Sequence, residues 1–317
     1  MAVVTLARHA MATRFEMVLC GADEIFLRAA GEEALDEIER LEAQLSFYRE
    51  GSEINGINAR AAREPVQVEP RLFQLLQRAA QLSAETDGAF DVTVAPLLRC
   101  WGFVRGTGAM PPPEAIEEAR QCVGMSHVLL DEANYTVRFA REGVTLDLGS
   151  IGKGYAVERA AQILRDNDII SALIHGGTSS IVAIGCPPDQ TSWNVAIRHP
   201  LDAAQRLAVV PLRDYALSVS AVHGKAFQAD GKRYGHVIDP RTGYPVQGAL
   251  LCAVLSSSPT DGDALSTAFL VLGEEGARRY CAQHPDVGVL MALEPEETGE
   301  VRVVTVNWKQ DEHGASF

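Results

Sequence analysis

From Asp23 to about Tyr48 apolar residues return every three or four positions, and Leu35, Ile38, Leu41 and Leu45 fall on one helical face. Pro70 opens a second helical stretch whose inner stripe is Leu72, Leu75, Leu76, Ala79 and Leu82. Its expected end is Thr86-Asp87-Gly88, where glycine can supply a left-handed C-cap. Between the two, Gly51 to Asn58 is rich in Gly, Ser and Asn and reads as a loop. Further helices are expected near Glu114 to Cys122, from Lys153 to Asp166 and from Asp263 to Val271. Strand-like runs occupy residues 11–20, 127–130, 135–139, 144–148, 170–174, 193–197, 207–210, 216–220 and 249–256. Strands, helices and hairpins are mixed without strict alternation, which predicts an α+β fold rather than a doubly wound parallel sheet. Pro111-Pro112-Pro113 marks a linker or exposed loop. The polar stretch Trp308 to Phe317 reads as a tail following one domain of residues 1–307.

Composition narrows the function. With 47% hydrophobic and 22% charged residues, the 317-residue chain can bury a full-sized core. A formal net charge of −14 argues against nucleic acid or an anionic membrane as the main partner. An anionic nucleotide would need local backbone N–H groups, a few cations or a metal ion. The six cysteines, at 20, 100, 122, 186, 252 and 281, lack metal-ligand spacing and read as reduced, mostly buried thiols. No apolar run reaches the ~18 residues of a membrane span. His9, Arg14 and Glu16 interrupt any signal-peptide core, and Leu19 stands where a lipoprotein site wants a small residue before Cys20. A cytoplasmic enzyme is expected.

Four segments mix Gly, carboxylate, hydroxyl and cation. Thr86 to Thr93 (TDGAFDVT) ends a helix and enters a strand, and its carboxylates have a plain reading as turn caps. Asp147 to Tyr155 (DLGSIGKGY) looks like strand, Gly-rich turn and helix. Its exposed N–H groups and Lys153 suit phosphate oxygens, and its plain reading is a tight turn. In His236 to Gly243 (HVIDPRTG), turn chemistry accompanies a histidine able to act as a base near neutral pH. Asp261 to Thr267 (DGDALST) opens a helix on which Asp263 and Thr267, four apart, share a face. That pair suits a hard cation such as Mg²⁺, and the plain reading is helix capping.

Together these segments resemble the FAD:protein FMN transferase, or ApbE, family. The match runs from Met11-Ala12-Thr13 through SFYREGSEINGIN (46–58), TDGAFDVTVAPL (86–97), WGF (101–103) and DLGSIGKGYAVE (147–158). It continues through Gly176-Gly177, HVIDPRTGYPV (236–246) and DALSTAFLVLG (263–273), so it covers nearly the whole chain. The resemblance implies a single T-fold-like domain of mainly antiparallel sheet and helices. It implies a flavin site of Met11, Tyr48, Ala89, Phe90, Asp91, Asp147, Lys153 and Ile238. It also implies a magnesium site of the Ser150 main-chain oxygen, Asp263 and Thr267, with Ser266 at a third helix position that is often acidic in relatives.

The implied reaction moves the FMN half of FAD to a Thr or Ser hydroxyl of an acceptor protein, releasing AMP, with His236 as the candidate base. Two readings compete with it: an FAD pyrophosphatase giving FMN and AMP, and an FAD-binding carrier. Thr178 and Ala221 also depart from the family pattern, on what is expected to be the acceptor side. His175 and His223 are further candidates, each with a plain reading as a satisfied structural histidine.

Overall fold

The computed structural model describes residues 1–202, 204–222, 224–295 and 300–308. His223, and all of the expected polar tail except Trp308, lie outside them.

The principal sheet has eight strands, in spatial order β1 (Ala2–Ala10), β2 (Thr13–Gly21), β6 (Ala172–Gly176), β7 (Ser180–Ile184), β10 (Ala216–Ala221), β13 (Ala249–Ser256), β14 (Gly288–Leu293) and β15 (Arg302–Val306). Every neighbouring pair is antiparallel. A small sheet orders β3 (Val66–Gln67), β5 (Thr136–Phe139) and β4 (Val128–Asp131). Two hairpins, β8 (Trp193–Arg198) with β9 (Arg206–Leu212) and β11 (Ala226–Ala229) with β12 (Lys232–Gly235), stand apart from it. The helices are α1 (Glu24–Leu45), α2 (Glu53–Arg60), α3 (Pro70–Glu85), α4 (Ala95–Cys100), α5 (Pro113–Arg120), α6 (Gly152–Asp166) and α7 (Pro259–Gln283). The fold is α+β, as the mixed pattern predicts.

Side-chain alternation sorts the core into two layers. On β13, Cys252 and Val254 face the helical layer, while Leu251, Ala253 and Leu255 pack with Trp193, Ile197, Val210 and Leu212 of the β8–β9 hairpin. Both faces of the sheet are therefore covered, and all eight residues of β13 are buried. On α3 the expected stripe is buried in full, at about 1.5–3 kcal/mol for each leucine. Directly after that helix it is Asp87, not glycine, that takes the left-handed conformation (φ 52°), and Gly88 follows with φ 75°.

Several expectations change. Gly51 to Asn58 is not a loop: α2 forms there because Ser52 accepts from the Asn55 N–H and buries Ile54 and Ile57 beneath the helix. Residues 144–148 are extended but join no sheet, since Leu146 exchanges both backbone hydrogen bonds with the Asn58 side chain and the Asp147 N–H goes to the Val92 carbonyl. Phe90 to Thr93 turns into α4 rather than a strand. The three prolines form a loop into α5, with Pro112 and Pro113 exposed, rather than a linker, because Leu97 and Trp101 before them pack with Ile116 after them.

The helix expected from Asp263 starts earlier and runs on past a break at Gly273 (φ 67°). Ser258, not Asp261 or Asp263, is its N-cap, accepting from the Asp261 N–H at 3.1 Å. Glu158 of α6 accepts from Ser258 Oγ and from the Thr260 N–H, each at 3.0 Å. Arg78 of α3 holds Asp261 through two hydrogen bonds, at 2.9 and 3.0 Å. The first turn of α7 is thus capped and clamped from two neighbouring helices without the side chains of Asp263 and Thr267.

Candidate active site

A cavity of about 530 Å³ opens where the Gly-rich turn, the His236 loop and the start of α7 meet. A second, of about 430 Å³, adjoins it and shares Tyr48, Asp147, Gly149 and Lys153. Each falls in the range that holds a small ligand. Ala89, Phe90, Asp91, Ser150, His236, Ile238, Asp263 and Thr267 line the first, and Met11 lines the second. Ser266 lines neither. Its side chain is fully buried, within 2.7 Å of Ser220 Oγ and donating to the Asp263 carbonyl at 2.9 Å.

The Gly-rich turn is shaped by its own side chains. Asp147 Oδ1 accepts from the Gly149 N–H at 2.9 Å, and Lys153 Nζ donates to the Gly149 carbonyl at 3.2 Å. Burial pushes the Asp147 carboxyl above its usual pKa, against the Gly149 hydrogen bond and the Lys153 and Arg99 charges. The Gly154 N–H donates to Asp263 Oδ2 at 2.9 Å, joining α6 to α7 directly beneath the cavity. Ser180 Oγ reaches Asp263 Oδ1 at 3.3 Å.

The His236 loop is rigid for reasons visible in its sequence. Asp239 pairs with Arg241 at 2.8 Å and accepts from the Arg241 N–H at 2.9 Å, while the Gly243 N–H returns to the Asp239 carbonyl. Trp101 Nε1 donates to the Gly243 carbonyl at 2.8 Å, which explains why a Trp-Gly-Phe segment accompanies this turn. Lys225 Nζ donates to the Phe103 carbonyl at 2.9 Å and brings Phe103 and Val104 to the cavity wall. His236 packs so closely on Gly224 that a Cβ there would lie 2.8 Å from the ring. Burial is the main cause of a His236 pKa below the usual histidine value; the Lys225 main chain opposes it, and the Lys225 and Lys153 charges add to it. Among the described residues no hydrogen-bond partner meets the buried Nδ1.

Asp91 and Met11 are placed differently from a simple ligand contact. Both Asp91 oxygens are engaged by the protein: Oδ1 by the Thr93 N–H and hydroxyl, Oδ2 by the Met125 N–H at 2.9 Å. Met11 and Ala12 form the β1–β2 turn with φ 49° and 57°, a left-handed pair that usually calls for Asn-Gly. Glu42 of α1 accepts from the Met11 N–H at 2.8 Å and holds the turn at the second cavity.

The family is decided by the sequence as a whole: residues 11–291 match the ApbE family. The chain belongs to the ApbE family. Curated relatives include the FAD:protein FMN transferase of Treponema pallidum, 33% identical over 279 residues, which span 83% of this chain and 77% of that protein. The FAD:protein FMN transferase of Haemophilus influenzae is 31% identical over 287 residues, spanning 87% of this chain and 82% of that protein. The solved ApbE protein of Thermotoga maritima superposes with a TM-score of 0.85 at 31% identity, covering 95% of this chain and 96% of that one. The apo flavinyl transferase ApbE of Pseudomonas stutzeri gives 0.84 at 29% identity, over 96% and 94%.

Asp263, Thr267 and Ser150, which the resemblance implies for a metal, all line the first cavity and offer oxygen donors: a carboxylate, a hydroxyl and a main-chain carbonyl. Among the described residues no three His, Cys, Asp or Glu side chains cluster as a metal site. Such a set fits a hard cation that keeps waters and shares a ligand's phosphates, and it does not fit a soft one. His175 lies outside both cavities, with Nδ1 3.1 Å from the Gly177 carbonyl and Nε2 3.7 Å from Glu16, so it satisfies itself locally. Sequence reasoning missed Glu42. Glu158 lay inside the recognised DLGSIGKGYAVE segment, but its partner is a hundred residues away in the chain.

Proposed function

We propose that the protein transfers the FMN moiety of FAD to a Thr or Ser hydroxyl of an acceptor protein, in a Mg²⁺-dependent reaction that releases AMP. One observation carries this reading: two cavities meet at Lys153 and the Gly-rich turn, and His236, Asp263 and Thr267 line one of them. A molecule with two ring systems joined by a pyrophosphate suits that layout, its phosphates at the junction and its rings on either side. Met11, Tyr48, Ala89, Phe90, Asp91, Asp147 and Ile238 would surround it.

In the reaction the acceptor oxygen bonds to the FMN-side phosphorus as the bond from that phosphorus to the bridging oxygen breaks. AMP leaves with that oxygen, and the hydroxyl proton passes to His236, because a neutral alcohol is a poor nucleophile. Lys153 stabilises negative charge growing on the phosphoryl oxygens. Mg²⁺ held by Asp263, Thr267 and the Ser150 main chain would neutralise the same oxygens. No helix among the described residues is long and apolar enough to cross a membrane. The six unpaired cysteines support a reducing, cytoplasmic setting.

The sign of the His236 shift makes a prediction. A depressed pKa keeps the imidazole neutral, and so able to accept a proton, below 6.5. The transfer rate should hold through pH 6.5 and fall only on further acidification, while stability declines over the same range because the unfolded chain takes up the proton first. Rate profiles from about pH 5 to 8 for the wild type and His236→Gln check this. An acid limb that survives the substitution assigns the titration elsewhere.

The direct test is a mass spectrum of an acceptor peptide incubated with the protein, FAD and Mg²⁺, beside a metal-free control. A gain of one FMN on Thr or Ser, absent without metal, supports transfer. Free FMN and AMP without an adduct would make the protein a pyrophosphatase, and intact bound FAD would make it a carrier.

A further inference from the structure

Four polar groups beside the cavity form a chain with one proton per hydroxyl and a fixed end. Ser266 Oγ donates to the Asp263 carbonyl at 2.9 Å, and that uses its only proton. In the 2.7 Å contact between Ser220 and Ser266, Ser220 is then the donor. In the 3.0 Å contact between Ser220 and Thr267, the donor must be Thr267, because Ser220 has no proton left. Reversing any link would set lone pair against lone pair at hydrogen-bond distance.

We infer that Ser220 and Ser266 are positioning residues that fix Thr267 as an oxygen donor, its proton turned to Ser220 and its lone pairs left for a cation in the cavity that it lines. The inference rests on the proposed metal-dependent reaction. A free hydroxyl rotor loses part of its affinity for a cation whenever its proton points at the charge, and the chain removes that orientation before any metal arrives. It also gives Ser266 a supporting role behind Ser220, two hydroxyls away from the cation. A group such as Ser220, touching a ligand but not the metal, typically changes metal affinity by about 10–100-fold when removed.

The test is a titration of the full chain with Mn²⁺ followed by electron paramagnetic resonance, with and without ADP, beside a thermal unfolding curve. Ser220→Ala and Ser266→Ala should each weaken Mn²⁺ binding about tenfold with the unfolding midpoint little changed, and Ser220→Thr should restore it. Unchanged affinity in Ser220→Ala overturns the proposal. So does a loss in Ser266→Ala alone, which would make Ser266 a direct ligand. If Ser266→Ala does not fold, Ser220→Ala, at the partly exposed end of β10, decides. A wild-type chain that binds no Mn²⁺ under either condition overturns both the hydroxyl chain and the cation of the proposed reaction.

Discussion

His236→Ala is expected to slow FMN transfer by about 10²–10⁴-fold while leaving FAD affinity nearly unchanged. The magnitude is that of a general base removed from a reaction whose nucleophile is a neutral alcohol. The ring sits in the cavity wall between a loop locked by Asp239, Arg241 and Trp101 and a backbone that touches it at Gly224. Truncation therefore empties one position without releasing the loop. Single-turnover rates, measured beside flavin-fluorescence binding curves, separate the two effects. Full turnover in the variant would take His236 out of the proton transfer, and a matching loss of binding would make it a phosphate ligand instead.

The second large effect is structural. A Cβ at Gly154 would lie 2.2 Å from the Pro259 carbonyl oxygen and 2.6 Å from Asp263 Cβ, both too close to tolerate. The carbonyl cannot yield cheaply, because Glu158 and Arg78 clamp that turn of α7. Gly154→Ala should therefore cost about 3 kcal/mol of stability through overpacking. It should also push Asp263 away from the Gly154 N–H and reduce metal-dependent turnover. A lower denaturant midpoint with an unchanged slope is the expected result. Wild-type stability would mean that the two helices are less tightly joined than their geometry indicates.

Legibility in the sequence followed the range of the interactions. The stripes of α1 and α3 could be read because their periodicity is local. The candidate site could be read because Gly, Asp, Lys and His recur in four short, ordered segments. Helix α2 was hidden by its Asn and Gly residues, and only the two isoleucines it buries explain it. Val144, Leu146 and Leu148 alternate as a strand would, yet Asn58 and Val92 take their backbone groups. Ser266 looked like a possible metal ligand at its helix position. Its hydroxyl donates to the Asp263 carbonyl and accepts from Ser220, forty-six residues away in the chain, and no spacing rule reveals that second contact.

The turn at Met11 and Ala12 has a consequence for anyone selecting sturdier versions of this protein. Two side-chain-bearing residues occupy a conformation that Asn-Gly adopts more comfortably, so a screen for heat tolerance alone would favour replacing them. The same exchange would strip the Met11 thioether from the second cavity. Variants that survive such a screen would gain robustness at the hairpin and lose part of the wall of a cavity proposed to take a flavin nucleotide, so any campaign of this kind has to be run with the ligand present.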